Sequence, residues 1–330
     1  MNCRKTRISR NKGKKKKIEK PTSSTKILSG PDNHMANIES IGDLLNSIKV
    51  ISGQFDGKDS DRIWFRGEQD INRQLQPSVF RKDNKLAEVE THLTTRFQVK
   101  ASQFLHNCPV PTAYDEWLTL MQHYGLPTRA LDWSLSPLVA LFFATQPKKD
   151  EKETDGVIYV LFPRILNQAE LSEPFVLPMF NRTVKAAIAP AFTSKEQLPI
   201  RRKSNHHRSE KSLIRGSIIA CYASYYNPRV QLQQSAFTIH TSKDRTINDI
   251  DAQCLFKLRI PHAAKKNLFE SLTILGITED FLSPDLSTIA KQVKTLGENR
   301  AIAICSTQIA ANKTNYRQEY ASIFRLTHFK

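Results

Sequence analysis

The run Trp64-Phe65-Arg66-Gly67-Glu68 is the first place in the chain where residue types and spacing could do chemistry. A guanidinium is a planar fork whose two parallel N–H donors suit a diphosphate. Phe65 and Gly67 would frame such a ligand, the glycine by letting it approach the backbone. The plainer alternative makes Arg66 a strand-end residue in an ion pair with Glu68 or another acid. A second group, HYGLPTRALDWS (123–134), crowds His123, Tyr124, Thr128, Arg129, Asp132, Trp133 and Ser134 directly before the most apolar segment, PLVALFFAT (137–145). A helix beginning there offers free N–H groups and a positive dipole end to an anion. Tyr124 or Trp133 would stack on a flat ring, while Asp132 and His123 supply acid–base groups. The alternative pairs Arg129 with Asp132 as buried scaffold and leaves His123 as a helix cap. A third group is Gln233-Gln234, whose amides can donate to and accept from a sugar diol, or simply occupy a turn.

The elements that must position these groups are legible from periodicity. Ile38, Ile41, Leu44, Leu45, Ile48 and Ile51 recur at helical spacing. The run at 62–67 is short, aromatic and closed by glycine, which predicts a strand. Further helices are expected over 84–106 and 115–124, the latter stopped by Gly125-Leu126-Pro127. Ser136 and Pro137 stand at the N-cap and first helical positions of a helix apolar nearly all round, hence buried. Strands are expected over 156–162, 217–224, 235–241 and 254–260, and helices over 262–275 and 284–296. Residues 164–216, with the patch RRKSNHHR (201–208), read as a polar insertion or mobile loop.

The formal net charge of +17 on 330 residues points to a polyanionic partner. Residues 1–20 alone contain ten Lys or Arg and one Glu, with no apolar core, which excludes a secretory signal. Residues 1–35 are expected to be a disordered basic arm. No apolar run of about 18 residues is present, so no membrane partner is expected. Five scattered cysteines without a CxxC pair favour a reduced, cytoplasmic setting and no structural zinc. His206 and His207 lie among Arg and Lys, where a cation would be repelled, so no metal is expected. Neither GxGxxG nor GxxxxGK[ST] occurs.

Together these groups resemble the FRG domain family. Phe65-Arg66-Gly67 matches its (F/Y)RG signature, and Leu75, Pro77, Ser78, Phe80 and Arg81 match LxPSxFR. The QHYGLPTRxLDWSxSPxxALFFA block runs from Gln122 to Ala144. Pro228, Arg229, Gln233, Gln234 and Phe237 match PRxxxQQxxF, and Pro284-Asp285-Leu286 a late PDL. Ala130 and Ser235 depart from the usual Leu and Gly. The resemblance covers residues 38–296, which places the FRG domain at 36–298 with a basic insertion at 164–216 and leaves 299–330 unassigned.

The order of strand arginine, Ser/Thr before a buried helix, and polar residue on a late strand is similar to ADP-ribosyltransferases. Strands separated by helices without a regular βαβ rhythm favour an α+β fold with a mixed central sheet flanked by helices, and that likeness implies a sheet split as in those enzymes. It also implies NAD as substrate, with Arg66 on its phosphates or ribose, Phe65, Gly67, Thr128, Arg129 and Ser134 about the ligand, and Tyr124 or Trp133 on nicotinamide. The third position, usually Glu, is Gln234, so the missing charge is expected from Asp132 first and Glu68 second, with His123 orienting the acceptor. The combined expectation is an NAD-dependent ADP-ribosyltransferase modifying nucleic acid, RNA foremost. The basic arm and the 201–215 patch would hold the acceptor, in an intracellular bacterial toxin or phage-defence effector restrained by an antitoxin or chaperone. Two alternatives stand beside it: a non-catalytic nucleotide-sensing or nucleic-acid-binding module, and a metal-free ribonuclease using His123 with Arg129.

Overall fold

The aromatic run forms strand β2 (Trp64–Glu68), flanked in the sheet by β3 (Ala130–Ser134) and β4 (Gly156–Leu161). Beyond them lie β1 (Ala36–Asn37), β5 (Leu177–Pro178), β6 (Ile218–Tyr222), β7 (Ser235–His240) and β8 (Leu255–Ile260). The eight strands run in the order β1-β8-β4-β2-β3-β7-β6-β5. The outer pairs β1–β8 and β5–β6 are parallel and the inner ones antiparallel, so the expected α+β class with a mixed sheet holds.

This is a computed structural model that describes residues 36–54, 63–81, 85–104, 108–147, 153–193, 216–224, 228–250 and 254–285, with positions 288, 290, 293, 294 and 297. The expected basic arm, the 201–215 patch, the 299–330 segment and most of the helix expected over 284–296 lie outside the described residues.

Helices form where the pattern predicts them: α1 (Ile41–Ser52), α2 (Glu90–Ala101), α3 (Tyr114–His123) and α4 (Pro137–Thr145). Ser40 and Asp43 close a capping box on α1, satisfying two N-terminal donors reciprocally. Ser136 accepts from the Val139 amide and Pro137 opens α4, as their types require.

Residues 163–193 are not a polar loop. They hold α5 (Pro163–Leu171), β5 and α6 (Arg182–Ile188). Leu166, Met179, Val184 and Ile188 of this segment are buried, whereas Phe175 and Phe180 are exposed. Asn167 is fully buried and binds both the N–H and C=O of Ala220. The local composition is polar because much of this segment's surface faces water, so a windowed reading misses the few residues that anchor it. Three further helices follow: α7 (Pro228–Leu232), α8 (His262–Ile274) and α9 (Glu279–Leu282).

Alternation along the strands sorts the core into three clusters. On one sheet face, Phe65, Ile158, Val160 and Leu258 meet α1, α4 and α8. On the same face, Ala130, Ile219, Phe237 and Ile239 meet α3 and α6. Trp64, Leu131, Trp133, Tyr159 and Ala236 point to the opposite face with Leu166 of α5. Burying side chains of this size stabilises by roughly 1.5–3 kcal/mol each before entropy is subtracted.

The junction between β2 and β3 is sparse. Those strands share one pair, Phe65 opposite Ser134, whereas β2–β4 and β3–β7 run five each. Gly67 lies directly beneath α4, and a Cβ there would stand 1.8 Å from the Ala140 carbonyl oxygen. The glycine at this position therefore admits the helix backbone.

Candidate functional site

A cleft of about 280 Å³ opens over the β2–β3 junction. Its floor is β2, β3 and the start of β7, with Phe65, Asp132, Ser134 and Phe237 among the lining residues. Helix α3 contributes Thr119, Gln122 and His123, α4 contributes Val139, Ala140 and Phe143, and α7 contributes Arg229 and Val230. The cleft thus lies between the two core clusters of the helical face.

Arg66 and Asp132 meet here, as the sequence predicts, though the strands that carry them are 66 residues apart. Arg66 donates through Nε (3.0 Å) and Nη2 (2.5 Å) to Glu68 Oε1, and through Nη1 (2.7 Å) to the Asp132 carbonyl oxygen. Where the backbone ladder between β2 and β3 lapses, the guanidinium supplies the bond. Its Nη1 also lies 4.0 Å from Asp132 Oδ2. The second Glu68 oxygen faces Arg73 Nη1 at 3.4 Å.

The Asp132 carboxylate is aimed by a chain of groups. Gln122 Nε2 donates to Oδ2 at 2.6 Å. Gln122 is itself oriented by the Thr128 hydroxyl, which donates to its Oε1 and accepts from the Ala130 amide at 3.1 Å.

The two carboxylates differ in charge state preference. Burial works against ionisation of Glu68, but Arg66, Arg73 and Arg81 together outweigh it and lower its pKa. Half of the Asp132 side chain (51%) meets solvent, yet from within the cleft, where protein surrounds it. That crowding raises its pKa against the opposing pull of Arg66, Gln122 and Arg229. The pKa of His123 is lowered by burial first and Arg229 second, with Asp285 opposing, and its Nδ1 is buried without a hydrogen-bond partner. Arg229 Nη1 donates to the His123 carbonyl oxygen at 3.1 Å, tying α7 to α3.

Several residues named from the sequence lie elsewhere. Arg129 stands just before β3 and Asp132 within it, and the two do not pair. Arg129 is 5% exposed and binds Glu90 through Nε (3.0 Å) and Nη2, and the Ala187 carbonyl through Nη1 (3.0 Å). This removes it from the ligand wall and removes the His123–Arg129 pair that a ribonuclease would need. Trp133 is among the residues lining the cleft, but its side chain packs in the core of the opposite face, 2% exposed, with Nε1 donating to Thr238 Oγ1 at 3.1 Å, which leaves the ring no open face for stacking. Tyr124 is 61% exposed, edge-on to His123, and is not among the residues lining the cleft.

Gln234 is exposed at a turn with φ 47° and lies outside the cleft lining, while its neighbour Gln233 lines it. The positive φ sits where a following Ser235 begins the strand. Thr128 is buried and acts through Gln122, not on a ligand. Ser134 lines the cleft but donates to the Gln233 carbonyl at 2.7 Å and accepts from the Ser136 amide at 3.0 Å, which makes it scaffold. Gln122, Phe143, Arg73 and Arg229 also line the cleft and are not among the residues nominated from the sequence. Gln122 and Arg229 stand inside the quoted motifs, so the signal was present for those two. Phe143 was read as one more apolar residue of a buried helix.

No curated protein and no solved structure matches the chain. The family model of the FRG domain matches residues 61–153, the stretch that supplies β2, α2, α3, β3 and α4, and with them Arg66, Glu68, Gln122, His123 and Asp132. Over these residues the chain carries an FRG domain.

Proposed function

We propose that the cleft binds NAD and transfers its ADP-ribosyl group to nucleic acid. The observation that carries this reading is the meeting of Arg66, Glu68 and Asp132 in one cleft whose helical walls present Phe143 and His123. Phe143 takes the stacking role that neither Tyr124 nor Trp133 can fill. In the transfer, the C1′–N bond between ribose and nicotinamide breaks and its electron pair leaves with nicotinamide, which becomes neutral. The cation-like C1′ is faced by the Asp132 carboxylate and is taken by an oxygen or nitrogen of the acceptor. The acceptor's proton passes to His123, whose lowered pKa keeps it neutral near pH 7. Asp132 thus fills the role that Gln234 cannot. The acceptor class follows from the net charge of +17, because a basic protein gathers phosphate backbones without regard to sequence.

The test is incubation of the full chain with adenylate-labelled NAD and total RNA, DNA or protein. Label on RNA or DNA with stoichiometric free nicotinamide is the expected result. Label on protein alone would overturn the acceptor assignment. NAD binding without nicotinamide release would favour a nucleotide-sensing module, a reading supported by the way Glu68 is neutralised by its arginines. RNA cleaved without NAD would favour the ribonuclease.

A further inference from the structure

The arginine nominated for the diphosphate is the one most committed to the protein. Arg66 makes three hydrogen bonds to Glu68 and the Asp132 carbonyl. Two other guanidiniums are not so engaged. Arg73 lines the cleft, keeps 42% of its side chain exposed, and among the described residues its guanidinium bonds to Glu68 alone, at 3.4 Å. Arg81 has no hydrogen bond or ion pair among the described residues, and its Nε is buried without a partner.

Arg81 is held near the cleft by its neighbours. The Val79 amide donates to the Thr128 carbonyl at 3.3 Å and the Thr128 amide to Ser78 Oγ at 3.2 Å, docking the 78–80 turn against the residues that lead into β3. From there the Arg81 guanidinium feels Arg73, Glu68, Arg66 and Asp132. Burial, and then Arg73, push its pKa down, the mark of a cation set among like charges without enough anions. Arg66, Arg73 and Arg229 line the cleft and Arg81 stands within Coulombic reach of it, so four guanidiniums act on the two carboxylates. A fold that keeps a half-buried, unpaired arginine beside two others is destabilised by it unless an anion arrives.

We propose that Arg81 and Arg73 form a diphosphate-binding rim on the cleft, the subsite for the phosphoanhydride of a nucleotide ligand. Each offers a forked pair of N–H donors to a phosphate oxygen pair, and a diphosphate neutralises the surplus charge. The cleft volume, near the lower end for small-molecule pockets, accommodates one nucleoside-sized moiety and leaves the phosphates at its edge. Arg66 then acts as a positioning residue, holding Glu68 and the β3 backbone. The inference rests on the nucleotide-binding part of the proposed function and not on transfer.

The experiment is calorimetric titration and thermal shift of the full chain with inorganic pyrophosphate and with ADP-ribose, against chloride at matched ionic strength. The wild type is expected to bind both. Arg81→Ala and Arg81→Gln are each expected to weaken binding by about tenfold or more while the unliganded protein melts no lower than wild type. Equal pyrophosphate affinity in wild type and Arg81→Ala overturns the proposal, as does no binding to wild type or a large loss of unliganded stability in both variants. Arg81-dependent binding with no label transferred from NAD would keep the rim and remove the transferase reading. Transfer with an unchanged KM for NAD in Arg81→Ala would do the reverse.

Discussion

Arg66 and Arg129 make nearly the same bonds. Each binds a glutamate through Nε and Nη2 and a backbone carbonyl through Nη1. Their settings differ. The Arg129–Glu90 pair is sealed, both side chains 6% exposed, with the ring of Phe80 below the guanidinium. Glu90 is matched oxygen for nitrogen to one arginine, so nothing remains for a ligand. The Arg66–Glu68 pair opens on the cleft, its glutamate is shared with Arg73, and a second carboxylate stands 4.0 Å away. A buried arginine–carboxylate pair is therefore not by itself a sign of scaffold or of site. The surplus of unmatched groups around it distinguishes the two.

Breaking the sealed pair should have the larger effect on stability. Glu90→Ala leaves a buried guanidinium uncompensated, and urea denaturation should show a loss of about 3–5 kcal/mol. Gly67→Ala drives a methyl group into the α4 backbone and should cost about 3 kcal/mol in the same assay. Glu68→Ala strands Arg66 and Arg73 where cleft water can reach them, for a smaller loss of about 1–3 kcal/mol. Trp133→Phe deletes one buried hydrogen bond on the far face and should lose about 1 kcal/mol without changing NAD affinity, separating core from cleft.

The smallest stability change, and the one of opposite sign, is expected at Asp132. Its folded-state pKa is raised, so the native state holds the proton more tightly than the unfolded chain. Stability therefore falls as pH rises from the ordinary carboxyl value to the raised one, and the penalty persists above it. Asp132→Asn escapes that penalty while keeping an acceptor for Gln122, and calorimetry at neutral pH should show Tm unchanged or up by about 2 °C. ADP-ribosyl transfer by the same variant should fall about 10²–10³-fold. Glu68 behaves in the contrary sense: its stabilisation is complete above its ordinary pKa and is lost as pH falls through the lowered one. Melting curves of Glu68→Gln and Asp132→Asn against wild type from pH 3 to 8 should thus diverge in opposite directions.

Much of this molecule was written into short stretches of its sequence. Ser40 and Asp43 cap α1, Ser136 and Pro137 open α4, and the apolar runs at 156–161, 218–222, 235–240 and 255–260 are strands. Arg66 and Asp132 could be nominated for one site because their motifs are dense in groups that a core excludes. These features depend on neighbours within a few residues, where propensity, capping and periodicity act. Strand β3 was not legible, because five residues with an aspartate at the centre carry little periodic signal until β7 pairs along them.

The roles of single residues within the motifs were settled only by tertiary structure. Trp133 and Asp132 are adjacent and both border the cleft, yet pleating sends the Trp133 side chain into the core of the far face and turns the Asp132 side chain toward Gln122. Gln233 and Gln234 divide in the same way at the turn into β7. Arg129 found Glu90, 39 residues away, in place of Asp132, three away. Residue types determined which groups needed partners. Strand register and helix packing over long sequence separations determined which partners they met, because an ion pair or a cleft is a property of proximity in space that no local window contains.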